Sequence, residues 1–174
     1  MARKSAAQIE EDEQKIINEL KINARGSIEH IANKYHFSRQ KVWRIIKRLE
    51  LNKSIWGYHT ITDDESFNQQ RFVVLIKRST EPIDEAIENI TNLSTNKNKD
   101  ELGVSIECSS FLHGQYDWMF IVTTEDLKSL KKFTHFIAKE YEKWISEICI
   151  LEYIFPVVKC GILNPNKDHI KELF

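Results

Sequence analysis

The fold of this chain is decided by the stretch SRQKVWRIIKRL, which covers residues 38–49. Its apolar side chains recur at the i, i+3, i+4 and i+7 spacing of one helix face, and Ser38 is suited to cap the first turn. The opposite face is cationic, with no acidic residue before Glu50. A narrow basic helix on an apolar stripe fits the major groove of DNA. A surface helix that is basic without a nucleic-acid partner is the alternative interpretation.

This helix supplies the predicted DNA contacts. Side chains in its first turns are candidates to read base edges, and the remaining cations are candidates to bind phosphates. Trp43 could offer only apolar contact or stacking, and its packing against a neighbouring wing stays an alternative. The predicted base-reading residues are Arg39, Gln40, Trp43 and Arg44. The predicted phosphate contacts are Lys41, Lys47, Arg48 and Lys53, with Ser38 at the start of the helix.

Two further helices precede this stretch in the sequence. Apolar spacing predicts one over residues 12–22 and a second over residues 28–35, for which Ser27 is the expected cap. His36 and Phe37 then form the turn, and His36 is expected to adopt the left-handed conformation that such a turn needs. Two short helices joined by a tight turn, the second one basic, form the helix-turn-helix arrangement.

A β-rich segment follows at residues 54–61, and it predicts a strand or small wing. Trp56 and Tyr58 would share one face of that strand, either stacking on a ligand or packing against a partner subunit. Residues 63–66 are polar and acidic, and they are expected to link two domains. The predicted domains are therefore residues 1–62 and residues 63–174.

The charge of the chain is unevenly distributed. Residues 1–60 contain 12 lysines and arginines against 7 acidic residues, whereas residues 61–174 contain 13 against 19. Only the first part is therefore expected to meet a polyanion. The three cysteines form no CxxC pair and the histidines show no ligand spacing, so neither a metal nor a cofactor is expected. Without an export signal or a membrane-spanning run, the expected location is the cytoplasm, with no membrane partner.

The second part of the sequence predicts a βαββαβ order. Strands are expected at residues 71–77, 104–112, 117–123 and 148–158, with helices at 82–93 and from a cap at Thr124. This α+β arrangement is the ferredoxin-like fold, in which two helices cover one face of the sheet. The other face is usually covered by a second copy, which predicts a homodimer or a larger homo-oligomer.

Three motifs stand in order along the two parts: the helix-turn-helix frame, the opening of the predicted wing strand and the hairpin of the second domain. The residues are Ile28, Ile31, Ala32, Ser38, Val42, Ile45, Arg48, Leu49 and Glu50, then Ile55, Gly57 and Tyr58, then Gly114, Tyr116, Asp117 and Trp118. With these motifs the two parts together resemble the Lrp/AsnC family of transcription regulators. That resemblance implies a winged helix-turn-helix, a βαββαβ effector domain of the RAM or ACT-like type, and dimers or larger oligomers that bind pseudo-palindromic double-stranded DNA.

The resemblance also implies a small-molecule effector, such as an amino acid, near the hairpin turn. Carried over by motif, Gly114, Tyr116 and Asp117 would line that site. A carboxylate could hold an α-ammonium group, and free amides at a glycine turn could hold an α-carboxylate. Alternatively, Gly114 only permits the turn and Asp117 only caps it.

The predicted function is sequence-specific transcription regulation, without catalysis. One alternative is an enzyme similar to siroheme decarboxylases, which look like this family; the acidic second domain and its scattered histidines do not favour a substrate with many carboxylates. Another is a sensor module that no longer reads DNA, and the basic helix at residues 38–49 argues against it.

Overall fold

The computed structural model describes residues 5–82, 87 and 102–173, and these form two compact units. One unit contains the residues up to 61 together with those from 157 onward, and the other contains residues 62–156. The final segment from 157 therefore groups with the helical unit, whereas the sequence analysis assigned it to the second domain. None of the helices in the described ranges is both long and apolar enough to cross a membrane.

Three helices build the first unit: α1 (Ala6–Ile22), α2 (Ile28–Tyr35) and α3 (Arg39–Leu51). Each begins after a serine whose hydroxyl accepts a hydrogen bond from an amide of the first turn, which satisfies one free donor there. The predicted starts of α2 and α3 are confirmed, but α1 begins six residues earlier than predicted, after Ser5. The core between the helices consists of Ile16, Ile31, Ala32, Val42, Ile45 and Leu49.

His36 forms the turn between α2 and α3, as predicted. Its backbone is left-handed, with φ 54° and ψ 39°, and the amide of Phe37 donates to the Ala32 carbonyl oxygen over 2.8 Å. This bond satisfies a carbonyl at the end of α2 that the helix itself leaves without a partner. The chain can thus reverse within the two residues that precede Ser38.

The predicted strand at residues 54–61 is wrong for the single chain. Residues 56–61 have no strand pairing in the structure, because a β-rich segment forms a strand only beside a partner strand. Trp56 is 95% exposed, so it is not packed within its own unit. This segment, the end of α1 and the final hairpin line a groove of about 680 Å³ whose walls include Ile17, Leu20 and Ile162.

The final segment of the first unit forms a small hairpin, β5 (Val158–Lys159) with β6 (Ile162–Leu163), and a 3₁₀ helix (Lys167–Glu172). The two-residue turn places Cys160 at φ 49° and Gly161 at φ 82°. Two left-handed residues are what the tightest hairpin turns require, and glycine meets that demand without strain.

The second unit contains a four-stranded antiparallel sheet in the order β2-β3-β1-β4, made of β1 (Gln70–Arg78), β2 (Val104–Phe111), β3 (Trp118–Thr124) and β4 (Ile145–Glu152). Helix α4 (Leu127–Glu140) connects β3 to β4. This α+β fold confirms the predicted class. The helix predicted at residues 82–93 lies almost entirely outside the described residues.

Two details of the second unit correct the sequence analysis. The last strand of the sheet is residues 145–152 rather than 148–158, since pairing with β1 ends where Phe72 faces Glu152. Asp126, not Thr124, caps α4: its carboxylate accepts from the Ser129 amide over 2.6 Å. The Thr124 hydroxyl instead donates to the Gly103 carbonyl oxygen over 2.9 Å.

The two faces of the sheet differ in their cover. One face packs into the core against Leu130, Phe133 and Ile137 of α4. The other face, which we call the open face, carries apolar residues that stay only partly covered in the single chain, and Leu151 is 49% exposed. Strand pairing aligns its members in rows: Val73, Leu75, Met119, Ile121, Cys149 and Leu151.

Candidate nucleic-acid interface

Helix α3 has two chemically different sides. Val42, Ile45 and Leu49 are buried against α1 and α2, which fixes the helix in its unit. The opposite side faces solvent within the unit, and Trp43 is 52% exposed there. We call this side the outer face of α3; its exposed members are Arg39, Gln40, Trp43, Arg44 and Lys47.

Two of the predicted phosphate contacts lie on the flanks of α3 and already bind α1. The Lys41 ammonium lies 2.8 Å from the Asp12 carboxylate, which is almost completely buried, and 3.1 Å from the centre of the Phe37 ring. The Arg48 guanidinium lies 2.5 Å from the Glu13 carboxylate. These pairs attach α3 to α1, so contact with DNA would require each cation to serve both partners.

Two cations of the outer face are also paired, but at the surface. Arg39 forms an ion pair with Glu29 of α2. Lys47 lies 2.7 Å from Glu50, and the same carboxylate accepts from the Tyr58 hydroxyl over 3.0 Å. The hydrogen bonds from Lys47 and Tyr58 lower the pKa of Glu50, while burial and the bond to Glu50 raise the pKa of Tyr58.

Arg44 and Lys53 differ from the other predicted contacts, because neither has an ion pair with any residue that the structure describes. Arg44 lies in the middle of the outer face. Lys53 follows α3 and has a left-handed backbone, with φ 57°. Ser38 acts through its hydroxyl as the cap of α3, accepting from the Lys41 amide over 3.2 Å.

A charged cluster that the sequence analysis did not identify holds α2 against α1. The nearly buried Glu19 carboxylate lies 2.6 Å from the Lys34 ammonium and accepts from the Tyr35 hydroxyl over 3.1 Å. The bond from Lys34, assisted by Tyr35, lowers the pKa of Glu19. In the sequence Glu19 is one more acid on a charged helix, and no local pattern indicates its distant partners.

The three predicted effector residues, in the hairpin between β2 and β3, have different contacts in the structure. The Asp117 carboxylate accepts from the Arg78 amide over 2.8 Å, and its own amide donates to the Ile76 carbonyl oxygen. Gly114 has a negative φ and open space where a side chain would begin. A hydrogen bond with Cys149 raises the pKa of Tyr116. Asp117 thus has a structural task within the subunit, and an effector site there stays a prediction.

A second cluster absent from the sequence analysis surrounds Arg71, which is 8% exposed on the open face of the sheet. Its guanidinium donates to both carboxylate oxygens of Asp64, over 2.7 and 2.9 Å, and to both of Glu107. Burial by itself lowers the pKa of Arg71, but the bonds to the two carboxylates outweigh it and raise that pKa.

Comparison with known proteins gives no match in sequence but consistent matches in structure. No family model matches the chain, and no curated protein matches it. B. subtilis LrpC is 16% identical, with a TM-score of 0.59 over 91% of this chain and 99% of its own. An AsnC family transcriptional regulator from Agrobacterium tumefaciens is 16% identical, with a TM-score of 0.64 over 88% and 95%.

A third solved structure is a transcriptional regulator from Neisseria meningitidis in complex with L-Met. It is 16% identical to this chain, with a TM-score of 0.62 over 89% of this chain and 96% of its own. At such identities the likeness concerns the fold, and it extends over nearly the whole length of each protein. The resemblance noted in the sequence is thereby confirmed for the architecture: this chain has the fold of transcription regulators of the Lrp/AsnC type.

Proposed function

We propose that this chain is a sequence-specific DNA-binding transcription regulator of the Lrp/AsnC type, that it works in the cytoplasm as a homodimer, and that it is not an enzyme. The observation that carries the proposal is the two-sided character of α3. Its apolar stripe is buried, while Gln40, Trp43 and Arg44 face solvent within the unit. A fixed helix with an exposed cationic face can enter a major groove without any change of fold.

In this proposal the outer face of α3 reads the DNA. Arg44 and Gln40 are suited to hydrogen-bond base edges, since arginine pairs with guanine and glutamine with adenine. Lys47 and Lys53 are suited to phosphates, and Trp43 to apolar contact with a thymine methyl. Two α3 helices of a dimer would enter major grooves about 34 Å apart, which matches one turn of the duplex.

The homodimer is supported by the open face of the sheet. Its half-covered apolar rows lie on three strands, and their burial requires another apolar surface. A second copy provides that surface by symmetry, because each subunit offers the same patch. The uncovered residues 56–61, with Trp56 exposed, are a second segment that a partner subunit would cover.

A small-molecule effector is also part of the proposal. The Neisseria meningitidis regulator of the same fold was solved with L-Met. In this chain the corresponding proposal is an amino-acid-like ligand near Gly114, Tyr116 and Asp117. Binding of free amino acids, measured by calorimetry on the wild type and an Asp117→Asn variant, would test it.

The central experiment is the salt dependence of DNA binding by an Arg44→Ala variant. The probes are a 30-base-pair random duplex and a duplex selected from a random library with the wild-type protein. If Arg44 reads a base, the selected duplex loses roughly 1–3 kcal/mol of binding free energy, more than the random duplex loses. Lys131→Ala, which removes an exposed cation from α4, is the matched control. Equal affinity of Arg44→Ala and wild type for both duplexes would refute the assignment of α3.

A further inference from the structure

The cations of α3 form two classes of ion pair, one with buried acidic residues and one with acidic residues at the surface. Lys41 and Arg48 pair with Asp12 and Glu13 of α1, whose side chains are buried and largely buried. Those pairs hold helices together, and opening them would leave charge inside the unit. Arg39 and Lys47 pair instead with exposed or half-exposed acids next to the outer face, Glu29 and Glu50.

The pair between Arg39 and Glu29 is the more exposed of these surface pairs. The side chains of Arg39 and Glu29 are 68% and 55% exposed, and no hydrogen bond to a third residue is seen for either side chain in the described part of the chain. An ion pair in such a position contributes little to stability and opens readily. Glu50 differs, since it also accepts from Tyr58 and so has a second structural task.

We infer that Glu29 competes with DNA phosphates for Arg39, which is thereby assigned to the phosphates and not to the base edges for which the sequence made it a candidate. While Arg39 is bound to Glu29, its charge is neutralised and it gains less from a phosphate than a free guanidinium would. Glu29 thereby limits the part of DNA affinity that does not depend on sequence, which is mostly electrostatic. The inference rests on the proposed function, because it concerns the same face of α3.

A regulator that reads sequence benefits from such a restraint. A genome offers a large excess of non-specific sites, and each cation free to bind phosphate strengthens binding to all of them. A carboxylate from α2 that occupies the first cation of α3 weakens this background without changing the side chains that reach base edges. Arg44 has no such acid among the described residues and keeps its full charge for the duplex.

The test is a double-mutant cycle on Glu29 and Arg39, read out as affinity for the 30-base-pair random duplex across salt. Glu29→Gln should bind about two- to five-fold more tightly than wild type, which is the range that an exposed ion pair supplies. Its plot of log affinity against log salt should be steeper by up to about one. In an Arg39→Ala background, Glu29→Gln should change neither quantity.

Glu11→Gln is the matched control, because it also removes one negative charge and breaks an exposed ion pair, that with Lys15 on α1. Equal tightening by Glu11→Gln would show that net charge alone is responsible and would overturn the inference. Tightening by Glu29→Gln that persists without Arg39 would overturn it as well, since it would reflect direct repulsion of DNA by Glu29.

The outcomes separate this inference from the function on which it rests. If the wild type binds the random duplex and Glu29→Gln binds it no more tightly, only the competition is refuted. If wild type and variant bind neither the random nor the selected duplex at low salt, the proposed function itself fails. Circular dichroism of each variant confirms that the helices are intact before affinities are compared.

Discussion

Among single residues, Arg71 has the clearest predicted effect on stability. Its guanidinium joins the carboxylates of Asp64 and Glu107 inside the second unit. Arg71→Ala leaves two acids close together without a cation, so we expect a loss of roughly 3–5 kcal/mol in the free energy of unfolding. Urea denaturation measures it, with Arg78→Ala, a cation more exposed at 41%, as the control. Equal losses for both variants would contradict the role of Arg71.

Glu19 makes the stability of the first unit depend on pH. Its pKa in the folded chain is lowered below the ordinary value of 4.5, chiefly by Lys34. A lowered pKa means that Glu19 stabilises the fold above pH 4.5 and that this contribution disappears as the pH falls through the folded value. The stability of Glu19→Gln should therefore fall less than that of wild type between pH 6 and about 3. Parallel curves of stability against pH would refute this expectation.

The helices were predictable from sequence because each signal is local. A serine cap followed by apolar residues at helical spacing marks α2 and α3, and the left-handed turn at His36 follows from the short connection between them. Glu19 and Arg71 could not be recognised, since their partners come from distant parts of the chain. The outer face of α3 was predicted correctly as a surface; which of its cations are engaged by acids was not.

The turn between α2 and α3 allows a test of how the helix-turn-helix is held. His36 occupies the left-handed region, which glycine adopts freely and β-branched residues resist. His36→Val should destabilise the first unit by about 1–2 kcal/mol, whereas His36→Gly should change stability by less than about 1 kcal/mol. Thermal unfolding of both variants measures the difference. A valine variant as stable as the glycine variant would argue that α2 ends in another way.

The segment at residues 54–61 shows the limit of reading strands from composition. Its β-rich residues met every local criterion, yet a strand exists only where another strand accepts its hydrogen bonds. Within one chain no such partner is seen in the described residues. For β4 the same dependence on a neighbour applies: the strand begins three residues and ends six residues earlier than its apolar run suggested, because β1 sets the register.

The assembled molecule is expected to be a dimer whose subunits meet through the open faces of their sheets. Leu75→Glu places a charge in the middle of this face, so it should convert a species of twice the 20.5 kDa chain into one of the chain mass. Sedimentation velocity measures the mass of the species in solution. Leu127→Glu, at a 50% exposed leucine on α4, is the control that should remain dimeric. A dimeric Leu75→Glu protein would show that another surface joins the subunits.

The separation of α3 into a buried stripe and an outer face has an evolutionary consequence. Gln40 and Arg44 contribute nothing to the buried stripe. In the proposed interface, exchanging them would alter which duplex is recognised and leave the free energy of folding nearly unchanged. Descendants of one ancestral gene could therefore acquire new target genes by a few substitutions on a scaffold that stays constant. We expect Val42 and Ile45 to stay constant among such descendants, and Gln40 and Arg44 to vary.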